Sequence, residues 1–576
     1  MNGRHSYRMN FLVPWVSRIT ALAGMVALIG MLPWLAGRDP ALALLRARSG
    51  EQEATPEALE SIRVSLGLSD GPWGVLHHWL AGLVRGDAGL SWVSGHPILP
   101  GMLKALGVSL TLMAAALFVA LIVAAGLCYP AIRRGLQGRL ARTTNSVAIA
   151  LTALPEYLLA TALLLIFAVW WPVLPPFGWR GGTYVILPAL AMGIPAGGLL
   201  GRLAIDMLVT TFNERWVITW QTADVSSLQI VRGVLRRIVP TLMPQLALVI
   251  TGLTGGAIAV EKILAIPGLG RATLGAVMAQ DMPVVQLGML MLLVLAVTVR
   301  IVAELIRHCM LGPALRQQAM PIAPPTHCHS RSPLLWSLMA GAVLIVLCVV
   351  GIGRDPWGLD FARLAPPSWT LPLGADASGR DVLARLSHGA IQTMGWALTV
   401  VIGCLLIGCV ASLMPRLMAG VIDVANAMPS TLAGIVIAAL IGPSSVGAVI
   451  AVMLVSWAPL ATHAIALRQE ISARPHMTML PIIGVGMWRR IICHELPMLM
   501  PPLLQHTMLR LPGAALALAG LGFLGLGAQP PSPEWGAMLA SGIPYMERAP
   551  WGIAAPSLAL MALAVLAVSL TLIWRR

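Results

Sequence analysis

The hydrophobic pattern of the chain consists of long apolar stretches separated by short polar segments. Each stretch holds about 20 residues, which is the length that an α-helix needs to cross the hydrocarbon core of a bilayer. Counting these stretches over the 576 residues predicts about twelve spans and an all-α polytopic membrane protein. The predicted spans lie near residues 18–36, 105–128, 145–170, 184–208, 241–261, 284–306, 333–353, 390–413, 418–441, 445–467, 498–520 and 553–574.

The composition supports this class of protein and excludes several others. Hydrophobic residues make up 57% of the chain and charged residues only 11%, whereas a soluble domain carries about 25% charged residues. This excludes a large soluble protein, a disordered chain and a collagen. The net charge of +15 does not indicate nucleic-acid binding, because positive loops are what orient membrane helices. We therefore expect a lipid bilayer, and no nucleic acid, as a partner.

Arginine is unevenly distributed between the two sides that the spans define. One side receives the arginine-rich segments, and the segments of the other side mix acidic and basic residues. By the positive-inside rule, the arginine-rich side and both termini are cytoplasmic. The seven cysteines fall in predicted spans or on that side, so no external disulfide framework is expected. The arginine-rich segments lie at 133–142, 202–237, 307–331, 468–490 and 575–576.

An internal repeat divides the chain into two halves. Matching features recur at a constant offset of 257 residues: Arg232 with Arg489, Pro240 with Pro497, Pro244 with Pro501, and Gly268-Leu269-Gly270 with Gly525-Leu526-Gly527. Because each half holds six predicted spans, both run in the same direction as parallel repeats related by an axis along the membrane normal. We expect a first half at 1–310 with an outer segment at about 37–104, a cytoplasmic linker at 311–332, and a second half at 333–576.

Each half also has a long cytoplasmic segment between its fourth and fifth spans, at about 209–240 and 468–497. Both segments mix arginines with apolar residues and end in prolines. This pattern suits short helices under the membrane that offer apolar and positive side chains to a partner. An ordinary arginine-rich loop is the alternative, and the recurrence at matching positions favours the first interpretation.

Several motifs occur in the same order as in a known family. The first half carries Leu83-Val84-Arg85-Gly86-Asp87 in its outer segment and Ile266-Pro267-Gly268-Leu269-Gly270-Arg271 after its fifth span. The second half carries 373–386, with Asp376, Arg380 and Asp381, and then 521–536, with Gly525 and Gly527. These motifs resemble the inner-membrane permeases of dipeptide, oligopeptide and nickel ABC importers, with both permease subunits fused in one chain.

The resemblance implies the fold, the partners and the function. The fold is that of a type I ABC importer permease, and the chain forms the translocation pathway in a bacterial inner membrane. A periplasmic solute-binding protein delivers peptides, nickel or metal–chelator complexes, and two cytoplasmic ATPase subunits drive transport by alternating access. The outer-side signature residues are Arg85, Asp87, Gly268, Gly270, Asp376, Arg380, Asp381, Gly525 and Gly527.

The resemblance also implies an ATPase-coupling motif, Glu-Ala-Ala followed four residues on by Gly, and the chain departs from it. In 221–227 and 478–484 only Ala223 and Gly484 match, while Gln221 stands in place of Glu and Ser227 in place of Gly. If that Gly has a positive φ, Ser227 is strained and the first half docks its ATPase more weakly. An unusual ATPase partner and a loss of activity both stay open. The expected coupling residues are Gln221, Ala223, Ser227, Arg232, Arg236, Pro240, Gly484, Arg489, Arg490 and Pro497.

The sequence offers no catalytic constellation of its own. It lacks the Walker lysine motif, so we expect a transport subunit rather than an enzyme, with ATP hydrolysed by separate subunits. No cofactor and no metal ion are expected, because His327-Cys328-His329 near His308-Cys309 has zinc ligand types without zinc-site spacing. A secondary transporter with duplicated six-span halves is the alternative function. The paired arginine-rich segments, and the absence of a set of acidic residues at mid-membrane positions, disfavour it.

Overall fold

The computed structural model describes residues 2–35, 55–65, 71–138, 146–152, 154–316 and 332–574. Eleven helices of the first half follow one another in these residues. They are α1 (Asn2–Leu35), α2 (Pro56–Ser65), α3 (Gly71–Val84), α4 (Ile98–Leu136), α5 (Ser146–Thr152), α6 (Glu156–Leu164, continued by a π-helical turn to Trp170), α7 (Thr183–Phe212), α8 (Arg215–Thr222), α9 (Ser227–Ile263), α10 (Leu269–Met278) and α11 (Met282–Arg316).

The described part of the second half is also helical. It comprises α12 (Ser332–Gly351), α13 (Val382–Leu413), α14 (Pro415–Ala427), α15 (Ser430–Ile441), α16 (Ser445–Ser472), α17 (Pro475–Met479), α18 (Met487–Arg490, continued by a π-helical turn to Glu495), α19 (Leu496–Met508), α20 (Leu511–Leu524), α21 (Trp535–Gly542) and α22 (Trp551–Trp574).

The predicted all-α membrane architecture is confirmed. Seven described helices are long and apolar enough to cross a membrane, and two helix pairs bent at a short break, α14 with α15 and α18–α19 with α20, pass the same test when each pair is counted as one span. Three shorter apolar helices lie at Glu156–Trp170, Ser337–Gly351 and Trp551–Leu566. Each of these elements coincides with one of the twelve predicted spans. Residues 317–331, most of the predicted linker, lie outside the described residues, so its boundaries stay a prediction.

Prolines break the third span of each half at matching places. Pro155 precedes the first residue of α6, and Pro429 precedes the first residue of α15. Proline disfavours a helical conformation in the residue before it and has no N–H for a helical hydrogen bond. The chain therefore stops one helix and starts another inside each apolar stretch, and both restarts lie beside the interface between the halves.

Close helix packing accounts for the tight core of the first half. A Cβ atom on Gly193 of α7 would lie 2.6 Å from the carbonyl oxygen of Ala116, and one on Gly197 would lie 2.7 Å from that of Ala120. Both of these carbonyls belong to α4. Small residues at such contacts let two helices approach closely, which is how helices gain packing energy inside a membrane.

The two halves are joined by polar contacts between helices. Asp423 of α14 forms ion pairs with Arg18 of α1 at 2.7 Å and with Arg300 of α11 at 2.6 Å. Lys262 of α9 donates through Nζ to the carbonyl oxygens of Phe523 and Leu524 at 3.3 and 2.9 Å. The second contact places a cation at the carboxyl end of α20, where the helix dipole favours positive charge.

The helix ends define two faces of the molecule. We call the face with the segments 264–281, 352–381 and 525–550 the loop face. The opposite face, with the segments 213–226 and 473–495, is called the arginine face.

Candidate functional site

The arginine-face segment of the first half consists of α8 and the turn that leads into α9. Gln221 donates through Nε2 to the carbonyl oxygen of Gly135 at the end of α4, at 3.0 Å. Glu214 precedes α8 and accepts from Arg237 Nε at 2.8 Å and from Trp216 Nε1 at 2.6 Å. These bonds hold α8 against both α4 and α9.

The sharp turn of this segment is at Asp224, which has a φ of 53°. Ser226 is the N-cap residue of α9, and Ser227 is its first helical residue. Ser227 therefore does not have the left-handed conformation, and the condition under which it would be strained is not met. The strain falls three residues earlier, on an aspartate, and Asp is one of the few non-glycine residues that adopts this conformation.

The second-half segment has the same turn with a different residue at its centre. Gly484 has a φ of 82°, and Gly486 is the N-cap residue of α18. In both halves, therefore, the residue with positive φ stands two positions before the N-cap. Glycine adopts this conformation without a Cβ penalty, so the second-half turn is the less strained of the two.

A buried ion-pair network holds the second-half segment to the bundle. Glu495 accepts from Arg468 Nε of α16 at 2.8 Å and from Arg490 Nε at 3.1 Å, and its side chain is only 2% exposed. Arg468 also donates to the carbonyl oxygen of Ser412, the penultimate residue of α13, at 2.7 Å. The sequence analysis named Arg490 but missed Glu495, whose main partner is 27 residues away.

Apolar side chains on both segments are exposed on the arginine face. Leu228, Ile482 and Trp488 have exposed fractions of 78%, 75% and 70%. Arg232, Arg236 and Arg489 are exposed beside them, whereas Pro240 is buried in α9. Exposed apolar groups next to arginines are typical of surfaces that contact another protein. Further exposed members of the two segments are Ile218, Trp220, Ala223, Ile483, Met487 and Pro497.

Replacing Asp224 with glycine is expected to stabilise the first-half turn. The change removes the left-handed strain of a residue that has a Cβ, which is worth about 1 kcal/mol or less after the added flexibility of the unfolded chain. Thermal unfolding of the purified protein in detergent measures the gain. Ser227→Gly is the matched control and is expected to give no gain or a small loss of stability, because it makes the first residue of α9 more flexible in the unfolded chain without relieving a positive φ. Equal effects of the two changes would contradict the assignment of the turn to Asp224.

The loop-face signature residues of the second half form a compact charge network. Asp376 pairs with Arg380 Nε at 2.8 Å and with Arg385, whose side chain is 4% exposed. Burial alone would raise the pKa of Asp376, but backbone hydrogen bonds and the two arginines lower this pKa below its usual value. Asp381 caps α13 by accepting from Leu383 N and pairs with Arg354 at 2.8 Å.

The corresponding first-half residues do not form such a network. Arg85 and Asp87 lie in an exposed turn, where Asp87 Oδ1 accepts from the backbone N–H of Gly89 at 2.8 Å. The buried contact nearby involves Asp281 instead, which accepts from Ser91 Oγ and from the backbone N–H of Trp92. The expected outer-side signature residues did not include Asp281.

The glycines of the Gly-Leu-Gly motifs make room for buried carboxylates and tight loops. A Cβ on Gly268 would lie 2.1 Å from Glu261 Oε1, and Glu261 accepts from Ser109 Oγ and from the backbone N–H of Arg271. Gly270 packs similarly against Ile258 of α9. These first-half glycines therefore shape a loop-face turn that closes over α9.

The second-half motif is built differently. Gly525 ends α20 with a φ of 83°, and a Cβ on Gly527 would lie 2.9 Å from the Cα of Gly522. A Cβ on Gly522 would in turn lie 2.2 Å from Oε2 of Glu534, the N-cap residue of α21. Glu261 precedes its glycine motif, whereas Glu534 follows the motif of the second half. The two similar glycine motifs therefore pack against carboxylates that do not correspond to each other in the repeat.

A cavity of about 460 Å³ lies between the halves. The two proline-broken spans meet there, since Pro155 and Glu156 line it from the first half and Pro429, Ser430 and Thr431 from the second. Helices α7, α9 and α20 supply further lining residues. Glu156 lies in the middle of a predicted span, and the sequence analysis overlooked this acidic residue.

This chain matches a protein family twice. The family is described as the inner membrane component of binding-protein-dependent transport systems, and it matches residues 116–310 and 399–575. The chain belongs to this family of permeases. The double match agrees with the 257-residue repeat and with the two sets of spans, so the permease is a multi-pass membrane protein with two fused units.

Individual relatives of the permease are about half its length. The metal-staphylopine import system permease protein CntB of Staphylococcus aureus is 28% identical over 293 residues, which are 50% of this chain and 92% of that protein. The di/tripeptide transport system permease protein DppC of Pseudomonas aeruginosa is 39% identical over 40% of this chain and 81% of its own length. The peptide transport system permease protein SapC of Salmonella typhimurium is 32% identical over 42% of this chain and 88% of its own length.

The permease offers no metal site in the part of the chain that the structure describes, where no group of three or more His, Cys, Asp or Glu side chains is placed to hold an ion. His308 and Cys309 belong to α11. His327, Cys328 and His329 lie outside the described residues.

Proposed function

We propose that this chain is the complete permease of an ATP-driven importer, in which each fused half docks one cytoplasmic ATPase subunit at its arginine-face segment. The observation that carries the proposal is the pair of exposed apolar and arginine surfaces at equivalent positions of the two halves. Permeases of this family work in binding-protein-dependent systems, and each described half has one such surface. The arginine face is then cytoplasmic, as are both termini, and the membrane is the bacterial inner membrane.

The cargo proposal rests on the relatives and on the cavity between the halves. Relatives bear names of systems for metal-staphylopine, di/tripeptide and peptide transport. We propose peptides, nickel or metal–chelator complexes as cargo, delivered to the loop face by a periplasmic solute-binding protein. Trp369 on that face is fully exposed and offers an apolar contact to such a protein.

The fold supports alternating access between the halves. The network around Glu495 fixes the second-half segment to α13 and α16, so a movement of a docked ATPase is transmitted to these spans. In the first half, Gln221 and Glu214 connect α8 to α4 and α9 in the same way. Approach and separation of the two ATPases would then open the cavity alternately to the two faces.

The docking proposal is tested by charge substitutions on the exposed apolar residues. Ile482→Asp with Trp488→Asp places two negative charges on the second-half surface, and Leu228→Asp with Ile218→Asp does the same in the first half. Each pair is expected to lower retention of ATPase subunits at least tenfold during purification from native membranes, because buried interface charges cost a few kcal/mol and each 1.4 kcal/mol is a factor of about ten in affinity. Trp369→Asp on the loop face is the matched control and is expected to leave retention unchanged.

Undiminished ATPase retention with both surfaces changed would contradict docking at these segments. Thermal unfolding of each variant in detergent is measured in parallel. The substituted side chains are exposed, so the unfolding temperature is expected to stay close to that of the parent protein.

A further inference from the structure

The cavity between the halves is lined almost entirely by uncharged residues. Its walls are alanines, glycines, leucines and prolines together with a few hydroxyl groups, and Glu156 is the one ionisable carboxylate among the lining residues that the structure describes. A Cβ on Gly256 of α9 would lie 3.2 Å from the Glu156 Cδ atom. The carboxylate therefore packs against bare backbone, with no side chain between it and α9.

Among the described residues, the side chain of Glu156 accepts a hydrogen bond from its own backbone N–H, and no other residue is its hydrogen-bond or ion-pair partner. Lys262, on the neighbouring helix, is occupied by the carbonyl oxygens of Phe523 and Leu524. The hydroxyl of Tyr157 is buried and also lacks a partner in the described structure. Ionisable residues inside a membrane protein are candidate functional groups, and a cationic ligand would supply the opposite charge that no described residue gives this carboxylate.

The carboxylate lies at the start of a helix. Glu156 is the first residue of α6, so the positive end of the helix dipole lies beside it. In the second half the equivalent restart after Pro429 begins with Ser430, which lines the opposite wall. The cavity thus has one wall that carries a carboxyl group and an opposite wall that carries the hydroxyl groups of Ser430 and Thr431, although the two halves share one architecture.

We infer that Glu156 is a binding subsite for an alkylammonium group of the transported solute, such as the amino group of a peptide or a lysine side chain. The inference rests on the proposed function, because it assumes that the cavity belongs to the translocation pathway. A cationic group that enters the cavity gains a charge-assisted contact with the carboxylate in a region of low dielectric constant. The apolar walls then accommodate the rest of the solute without fixing its side chains.

The electrostatic part of the inference is measured with a cysteine reporter. Gly520 lines the cavity, and a Cβ there would meet only Tyr157, at 3.9 Å, so Gly520→Cys fits without a clash. The seven native cysteines are replaced by serine or alanine, and the full chain is placed in lipid nanodiscs. Rates of modification are compared for trimethylammonium-ethyl and sulfonatoethyl methanethiosulfonate, which carry opposite charges.

Glu156→Gln is expected to lower the ratio of the cationic to the anionic rate about tenfold, because it removes one negative charge close to the reporter. The exchange Glu156→Ser with Ser430→Glu moves the charge to the opposite wall and is expected to restore the ratio. A ratio that does not change in Glu156→Gln would overturn the inference. Since both rates are measured on the same variant, a general change in access cancels from the ratio.

Binding of a cation is measured with n-butylammonium as the probe and n-butanol as its uncharged match. Millimolar n-butylammonium is expected to slow modification of Gly520→Cys by uncharged methyl methanethiosulfonate at least twofold more than n-butanol does. The difference is expected to vanish in Glu156→Gln. Equal slowing by both compounds in the protein that keeps Glu156 would overturn the subsite. Neither measurement uses ATPase subunits, so a failure here is distinct from a failure of ATPase docking.

Discussion

Glu495→Ala is expected to cause the largest loss of stability on the arginine face, about 3–5 kcal/mol, because it leaves a buried arginine without its counter-charge. Arg468 is only 15% exposed and donates to Glu495 at 2.8 Å. The same change frees the α18 end of the segment, which Arg490 ties to Glu495. Thermal unfolding in detergent measures the stability, and ATPase retention measures the effect on the docking surface.

Glu214→Ala in the first half is the matched control for this prediction. The pair that it breaks, Glu214 with Arg237, has the same 2.8 Å distance but side chains that are 25% and 31% exposed. Solvent screens such a pair, so the expected loss is about 1 kcal/mol or less. Replacing Arg468 and Glu495 together by leucine is expected to recover much of the stability that Glu495→Ala loses. Equal losses of stability for Glu214→Ala and Glu495→Ala would contradict the prediction that the buried ion pair contributes more than the exposed one.

Asp376→Ala is expected to destabilise the loop face of the second half by a similar amount, about 3–5 kcal/mol. The change leaves Arg385 buried, while its remaining contacts, from Nη2 to the carbonyl oxygens of Pro531 and Ser532 at 3.4 and 3.1 Å, carry no opposite charge. It also removes the acceptor of the backbone N–H groups of Ser378 and Arg380. Asp376→Asn keeps an acceptor without the charge, and its loss of stability is expected to lie between those of the parent protein and Asp376→Ala.

The charge network around Asp376 predicts that the folded protein loses stability at acid pH. The folded-state pKa of Asp376 is lowered below its usual value near 3.8, so the stabilisation is present above that value. It is lost as the pH falls through the folded-state pKa. Unfolding temperatures of the parent protein are therefore expected to fall more steeply below a pH of about 4 than those of Asp376→Ala. Parallel curves for the two proteins would contradict a charged Asp376 in the folded state.

The spans could be predicted from the sequence because a membrane imposes one length on every crossing helix. The twelve apolar stretches include every candidate span and every shorter apolar helix in the described residues, among them the two stretches that proline breaks. The repeat was also visible, since Arg232 with Arg489 and Pro240 with Pro497 keep one offset. The constant offset could not show that the spacing between the turn residue and the following proline differs between the two coupling segments. Pro240 follows Asp224 by 16 residues, whereas Pro497 follows Gly484 by 13.

The functional side chains were harder to predict because their partners are distant in sequence. The residues next to Glu495 in the sequence do not indicate its ion pair with Arg468 of another helix. The hydrogen bond between Ser91 and Asp281 joins residues that are 190 positions apart. Glu156 could have been found, because it follows a proline in the middle of an apolar span. The signature residues Asp376 and Arg380 proved to be neighbours, since they are four positions apart around a single turn.

The most direct test of the proposed function is the mass of the intact complex isolated through an affinity tag on this chain. Two fused halves, each with one docking surface, predict a complex that contains one copy of this chain and two ATPase subunits. Native mass spectrometry after gentle extraction from the membrane measures this composition. A complex that contains two copies of this chain, or a second permease chain beside it, would contradict the claim that the fused halves form a complete permease.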